Sequence, residues 1–384
     1  METLSSLELL QPETQALIMC HITCVTTLHS LLRASPRFYQ VFRSRRAYLL
    51  TQLAKQQAQV PVNAWDTIKA SRLPEPPSRA DVEIFTRTFQ DDDGYEARIL
   101  PVEISISMIK LGTCVAWLTA DFARNTLPNL IRLGELTELS QERDKVQSEL
   151  SSIETARIVR AFYRFETFRH LFPPAYHGDW SEIEKLQSGV DFLNQWDPDE
   201  IEEIACIKDY IKRRLCIIFD QMEDDLVRGD PPEPVRIAAQ APEIDFENSN
   251  WFGTSGRESH SFFMENIMSM GLSFIRQVFG ADRTRCAELV LSASKHAAGF
   301  LSDTMDHFNI KGTMKNEDGP PFSLVNNYKS YHDSLDEPSL GWRWILSDYC
   351  TINPGISVTQ GPRDWGYIFW DKQRMIAAGV LEQS

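Results

Sequence analysis

The stretch from Asp197 to Met222 constrains the fold more tightly than any other part of the chain. Ile201, Ile204, Ile207, Ile211, Leu215, Ile218 and Met222 recur every three or four residues, which places them along one stripe of a 3.6-residue helical turn. A strand would scatter the same residues over both faces, so this segment is a helix that has to bury one side along its length. Its start is written in as well. Asp197 suits the N-cap, Pro198 suits the first helical position, where no N–H is needed, and Glu200 completes a capping box.

The same period returns along the chain. Ser151 and Glu154 open a helix that carries Ile158, Phe162, Phe165, Phe168 and Phe172 until Pro173 and Pro174 stop it. Phe263, Ile267, Met270, Phe274 and Val278 form a stripe ended by Gly280, and Cys286, Leu289, Ala293, Ala297 and Phe300 form the next, which together read as an αα-hairpin. Strand-like alternation is sparse and confined mainly to the last fifty residues, so the expected fold class is mainly α. Trp342, Trp344, Tyr349, Trp365, Tyr367, Phe369 and Trp370 are expected to lock a closing segment onto the body. There "WGYIFWD" is a short strand or an extended piece before Lys372 to Leu381 turns helical.

At 384 residues the chain is more than double the ~150 residues of a typical domain, which predicts two or three units. Proline-dense polar stretches, "RLPEPPSR" (72 to 79) and "RGDPPEP" (228 to 234), favour extended backbone and mark the joints. The expected division is a helical module over 1–57, a linker over 58–80, a helical body over 81–227, a second linker over 228–250 and a helical C-terminal part over 251–384. A net charge of −15 opposes nucleic-acid binding, which needs a basic footprint to neutralise phosphates. No run approaches the ~18 apolar residues of a bilayer span, so no membrane partner is expected. Seven cysteines, an odd and scattered set, suit a reducing compartment, and no targeting address is readable at the start. The expected location is intracellular, cytoplasmic or nuclear.

Residues 11 to 42 read "QPETQALIMCHITCVTTLHSLLRASPRFYQVF". Pro12 and Glu13 suit a helix start, with Leu17, Ile18 and Ile22 as a first apolar face. Val25, Leu28, Leu31 and Leu32 form a second, and Ser35 can cap a third helix with Pro36 at its first position and Phe38, Val41 and Phe42 on one side. Three such short helices cannot bury all this surface alone, so the surplus asks for a partner.

Pro12, Glu13, Leu17, Ile18, Ile22, Leu28, Leu31, Leu32, Ser35, Arg37 and Phe38 stand at positions that resemble the F-box, a three-helix module. Gln11 replaces the usual leucine before Pro12, and Phe38 stands where tryptophan is common. The ending "RASPRFYQVFRSRRAYL" is similar to the divergent F-box-like start of uncharacterised filamentous-fungal proteins, and "ARIVRAFYRFETFRHLF", "IEEIACIKDYIKRRL" and "RDWGYIFWDKQRM" also resemble that group. The resemblance implies docking on the small acidic adaptor of an SCF-type ubiquitin ligase through Pro12, Leu17, Ile18, Ile22, Leu28, Leu31, Leu32 and Phe38. Arg37, Arg43, Arg45 and Arg46 would supply local positive charge that steers the encounter. The body would then tether an unidentified client protein, with no covalent chemistry and no cofactor.

The competing expectations are an interaction protein whose F-box-like segment is only structural, and an all-α metal-dependent enzyme acting on a small molecule or diphosphate. Asp220, Asp224 and Asp225 would be its ligands, since carboxylates on adjacent helical turns can hold hard cations. Asp91 to Asp93 read as a polar loop before Gly94, and no cationic diphosphate clamp accompanies either group. Cys20, His21 and Cys24 lack zinc-finger spacing, and Cys20 and Cys24 are expected on one helical core face. Ser255, Asp245 and His260 lack a nucleophile elbow, and His296, Asp303, Asp306 and His307 read as capping and surface polarity. The expectation is therefore of no catalytic residue and no metal.

Overall fold

The computed structural model describes residues 6–89, 97–135, 146–173, 181–227, 264–293, 301, 304–305, 339–345 and 360–381. Over these residues the protein is mainly helical and contains no strand. The N-terminal part runs through α1 (Pro12–Cys20), α2 (Val25–Ala34), α3 (Pro36–Ser44), α4 (Arg46–Ala58), α5 (Pro61–Ala70) and α6 (Arg79–Arg87). The long helices α7 (Val102–Glu135), α8 (Ser152–Leu171) and α10 (Pro198–Val227) follow, with α9 (Glu182–Leu193) between the last two. The chain closes with α11 (Leu272–Gly280), α12 (Arg283–Ala293), α13 (Leu340–Trp344), α14 (Gln360–Asp364) and α15 (Lys372–Ala377).

Local sequence explains the helix starts. Ser35 Oγ accepts the Phe38 N–H and Pro36 fills the first position of α3. Ser151 and Glu154 form a reciprocal capping box at α8, and Glu200 accepts the Asp197 N–H at α10. The isoleucine stripe of α10 is fully buried from Ile201 to Leu215, as its period requires.

α5, α7 and α10 all pack on α8, while α4 lies along α7. Gly112 permits that close approach, because a Cβ there would come within 2.8 Å of the Gln57 carbonyl oxygen on α4. α7 is long and apolar enough to cross a membrane by length and composition, although polar residues interrupt its apolar run. Half of its most apolar window is buried inside the molecule, where α4, α5, α8 and α11 pack against it.

Several expectations need correction. The stretch 58–80 is not all linker: Pro61 starts α5, and Ala64, Asp66, Thr67, Ile68 and Ala70 are buried. Thr67 Oγ1 donates to the Tyr163 carbonyl at 3.1 Å, so α5 belongs to the core and only 71–78 is a short non-helical connection. Buried apolar residues from Ala16 to Ala378 form one continuous cluster that joins the N-terminal helices to the body. Residues 228–250 lie outside the described residues.

The stripe expected to run from Phe263 to Val278 breaks at Gly271, whose φ of +91° is a left-handed conformation suited to glycine. The buried carboxylate of Glu166 on α8 accepts the Leu272 N–H at 2.8 Å and so caps α11 from across the core. A Cβ on residue 271 would sit 2.9 Å from that carboxylate. The closing segment is buried as expected, with Tyr367, Phe369 and Trp370 fully enclosed, but residues 365–369 form successive turns where a strand was considered. Side-chain packing governs there: Phe122 meets Phe369 edge-on at 5.1 Å, and the Trp370 indole N–H donates to the Trp365 carbonyl at 2.6 Å.

Candidate functional site

The expected partner-binding residues divide between the surface and the interior. Leu28 and Phe38, 5% and 1% exposed, hold the N-terminal helices together from inside. Ile18, Ile22, Leu31 and Leu32 are half-buried, Pro12 is exposed, and Leu17 projects from α1 at 59% exposure. The turn before α1 adds Leu7 and Leu9, at 50% and 63%, which sequence reading left out because they precede the first periodic segment. That turn is fixed in place. Gln15 of α1 donates to the Leu7 and Glu8 carbonyls, and the Ser35 hydroxyl donates to the Glu8 carboxylate.

Of the flanking arginines, Arg43 and Arg46 are exposed and Arg37 is half-buried. Arg45 pairs with Glu13 at 2.8 Å, tying the end of α3 to the start of α1. Cys20 ends α1 while Cys24 is the exposed N-cap of α2, so the two do not share a helical face. The Thr26 hydroxyl, then the backbone N–H groups of Thr27 and Thr26, lower the Cys24 thiol to about 7.

A second constellation, deep in the body, was not anticipated. Arg160 of α8 makes a two-pronged pair with Glu203 of α10, at 3.1 and 2.7 Å. Arg363 of α14 grips Glu202 with two bonds of 2.7 Å and reaches Asp209 at 3.0 Å, while the Tyr367 hydroxyl also donates to Glu202. Arg374 of α15 binds Glu154 through two bonds of 2.8 Å, and it donates to the carbonyls of Ser148 and Glu149. Burial alone would lower Arg160 and Arg363, but Glu203 and Glu202 outweigh it and hold both guanidiniums above their usual value. Glu203, Glu202 and Glu154 are each gripped at two points, so the cluster clamps helices together. The only local hint in the sequence is that Arg157, Arg160 and Arg164 share the periodicity of the phenylalanines on α8.

The metal alternative fares differently. Asp220 and Asp224 are exposed on α10, the side chain of Asp225 lies outside the described residues, and so do Asp91–Asp93, Asp245, Ser255, His260, His296, Asp303, Asp306 and His307. Among the described residues no group of three or more His, Cys, Asp or Glu side chains is arranged to hold a metal ion. His170 is half-buried beside Glu166, and burial, with Arg169 next, lowers it to about 3, so it stays neutral at ordinary pH.

Fold and surfaces define a mainly α protein whose closing segment is ion-paired into its core and whose N-terminal helices leave aliphatic side chains in water. No protein-family model, curated protein or solved structure matches the chain.

Proposed function

We propose that this is a non-enzymatic interaction protein whose N-terminal helices dock on an SCF-type adaptor while the body tethers a client protein for ubiquitin transfer. The observation that supports this reading is the set of exposed aliphatics, Leu7, Leu9 and Leu17, beside the half-buried Ile18, Ile22, Leu31 and Leu32. Water-exposed leucines at such density gain free energy when a partner covers them, about 25 cal/mol per Å². Leu28 and Phe38 contribute by fixing the helices that present them, and Arg43 and Arg46 add positive charge near the surface for an acidic partner.

A second reading also has an observation behind it. Gln56 of α4 donates to the Cys20 carbonyl at 2.6 Å, and α4 itself lies along α7, so the N-terminal helices are part of the body's core. In that reading they are structural and any partner binds elsewhere. Titrating purified adaptor into the intact chain separates the two. Docking predicts a saturable complex that the double variant Leu9→Asp and Leu17→Asp weakens at least tenfold with its circular dichroism unchanged. An intact chain that fails to bind the adaptor removes the docking role and leaves the structural one.

A further inference from the structure

A groove of about 850 Å³ runs between α7 and the α11–α12 pair. Its volume falls in the range of small-molecule sites, roughly 300–1,000 Å³. Ile109, Trp117 and Leu289 give it an apolar wall, while Lys110, Arg276 and Arg285 bring three cationic groups to the same space. No aspartate or glutamate is among its described lining residues, in a chain where acidic residues outnumber basic ones by 54 to 39. The charge is therefore segregated: the molecule as a whole repels anions and this groove attracts them.

Two of the cations are available to a ligand. Lys110 is exposed on α7, and Arg276 lies with its guanidinium 6.0 Å from the centre of the Trp117 ring, which holds it along the wall. Neither forms an ion pair with another described residue, whereas Arg285 is engaged by Glu288 at 2.7 Å. Val25 and Thr26, the first residues of α2, also line the groove.

We propose that this groove binds an amphiphilic carboxylate, its apolar chain or ring against Ile109, Trp117 and Leu289 and its charge held by Lys110 and Arg276. An inorganic anion would leave the apolar wall wet, and a neutral amphiphile would leave two cations without a counter-charge. Because the groove is lined from α2 as well as from α7, α11 and α12, an occupied site joins the N-terminal helices to the body. The proposal does not rest on adaptor docking.

Calorimetric titration of the intact chain with decanoate, in low salt and below its micellar concentration, is the test. One saturable site is expected, with decanol, the uncharged analogue, binding at least tenfold more weakly. Combining Lys110→Gln with Arg276→Gln should weaken decanoate at least tenfold, and Ser273→Trp, which fills the groove from an exposed position and removes no charge, should abolish binding with circular dichroism unchanged. Equal affinity for decanol and decanoate, undiminished binding by the folded Ser273→Trp protein, or no saturable heat from the intact chain each overturns the proposal.

Discussion

Glu154 receives the N–H groups of Ser151 and Asp371 together with two from Arg374, so one carboxylate both starts α8 and anchors α15. Removing one member of a buried ion pair strands the other, at a cost of about 3–5 kcal/mol. Glu154→Gln should therefore lower the unfolding free energy in urea by roughly that amount, and a joint Glu154→Leu and Arg374→Met change should not recover it, because the Ser151 and Asp371 N–H groups and the Ser148 and Glu149 carbonyls then lose their partners. Asp199 behaves in the opposite sense. Burial first, then Glu203 and Glu200, push its carboxyl up to about 6 from 3.8. Between pH 4 and 6 the folded chain thus keeps a proton that the unfolded chain has released, and this group's contribution to stability falls as pH rises through that window. Asp199→Asn should flatten that part of the stability profile and stabilise the protein at pH 7 by up to about 3 kcal/mol. Urea unfolding of both proteins at pH 4, 5, 6 and 7 reads the difference directly. The Ser151–Glu154 half of this chemistry was legible because its partners are three residues apart, while Arg374 lies 220 positions away and no local pattern points to it.

Helices were readable wherever their signals are local. Caps at Ser35 and Ser151, the Glu200 half of the box expected at Asp197 and the stripe of α10 match the structure. Elements that depend on distant partners were not: α5 was read as linker because it adjoins the proline-dense stretch 72–79, and the break at Gly271 follows from a carboxylate on α8. Periodicity also identifies an apolar face without saying what covers it, which is why Leu28 and Phe38 turned out to be internal and Leu17 exposed. The α4–α7 contact offers a test at this scale. Gly112→Ala gains about 1 kcal/mol of helix propensity, but its Cβ would press on the Gln57 carbonyl at 2.8 Å. Overpacking costs about 1–3 kcal/mol, so a lower thermal midpoint is expected. Gly361→Ala, where a Cβ meets nothing within 4 Å, should leave the midpoint unchanged or raise it.

For the molecule as a whole, the sequence announces a mainly α chain and hides how its parts are joined. The proline-rich stretches suggest separable units, yet the apolar cluster is continuous, because α4, α5 and the closing segment each insert side chains among the long helices. Ion pairing follows the same plan. Glu154 and Glu202 belong to the first 210 residues, while the arginines that neutralise them, Arg374 and Arg363, come from the final thirty. On a ribosome this becomes a matter of timing. At roughly 5–20 residues per second, about 10–45 s pass between synthesis of Glu154 and of Arg374. During that interval two carboxylates destined for the interior have no counter-charge, so the nascent helices cannot close over them. The core therefore completes its ion pairs only after Arg363 and Arg374 have been made.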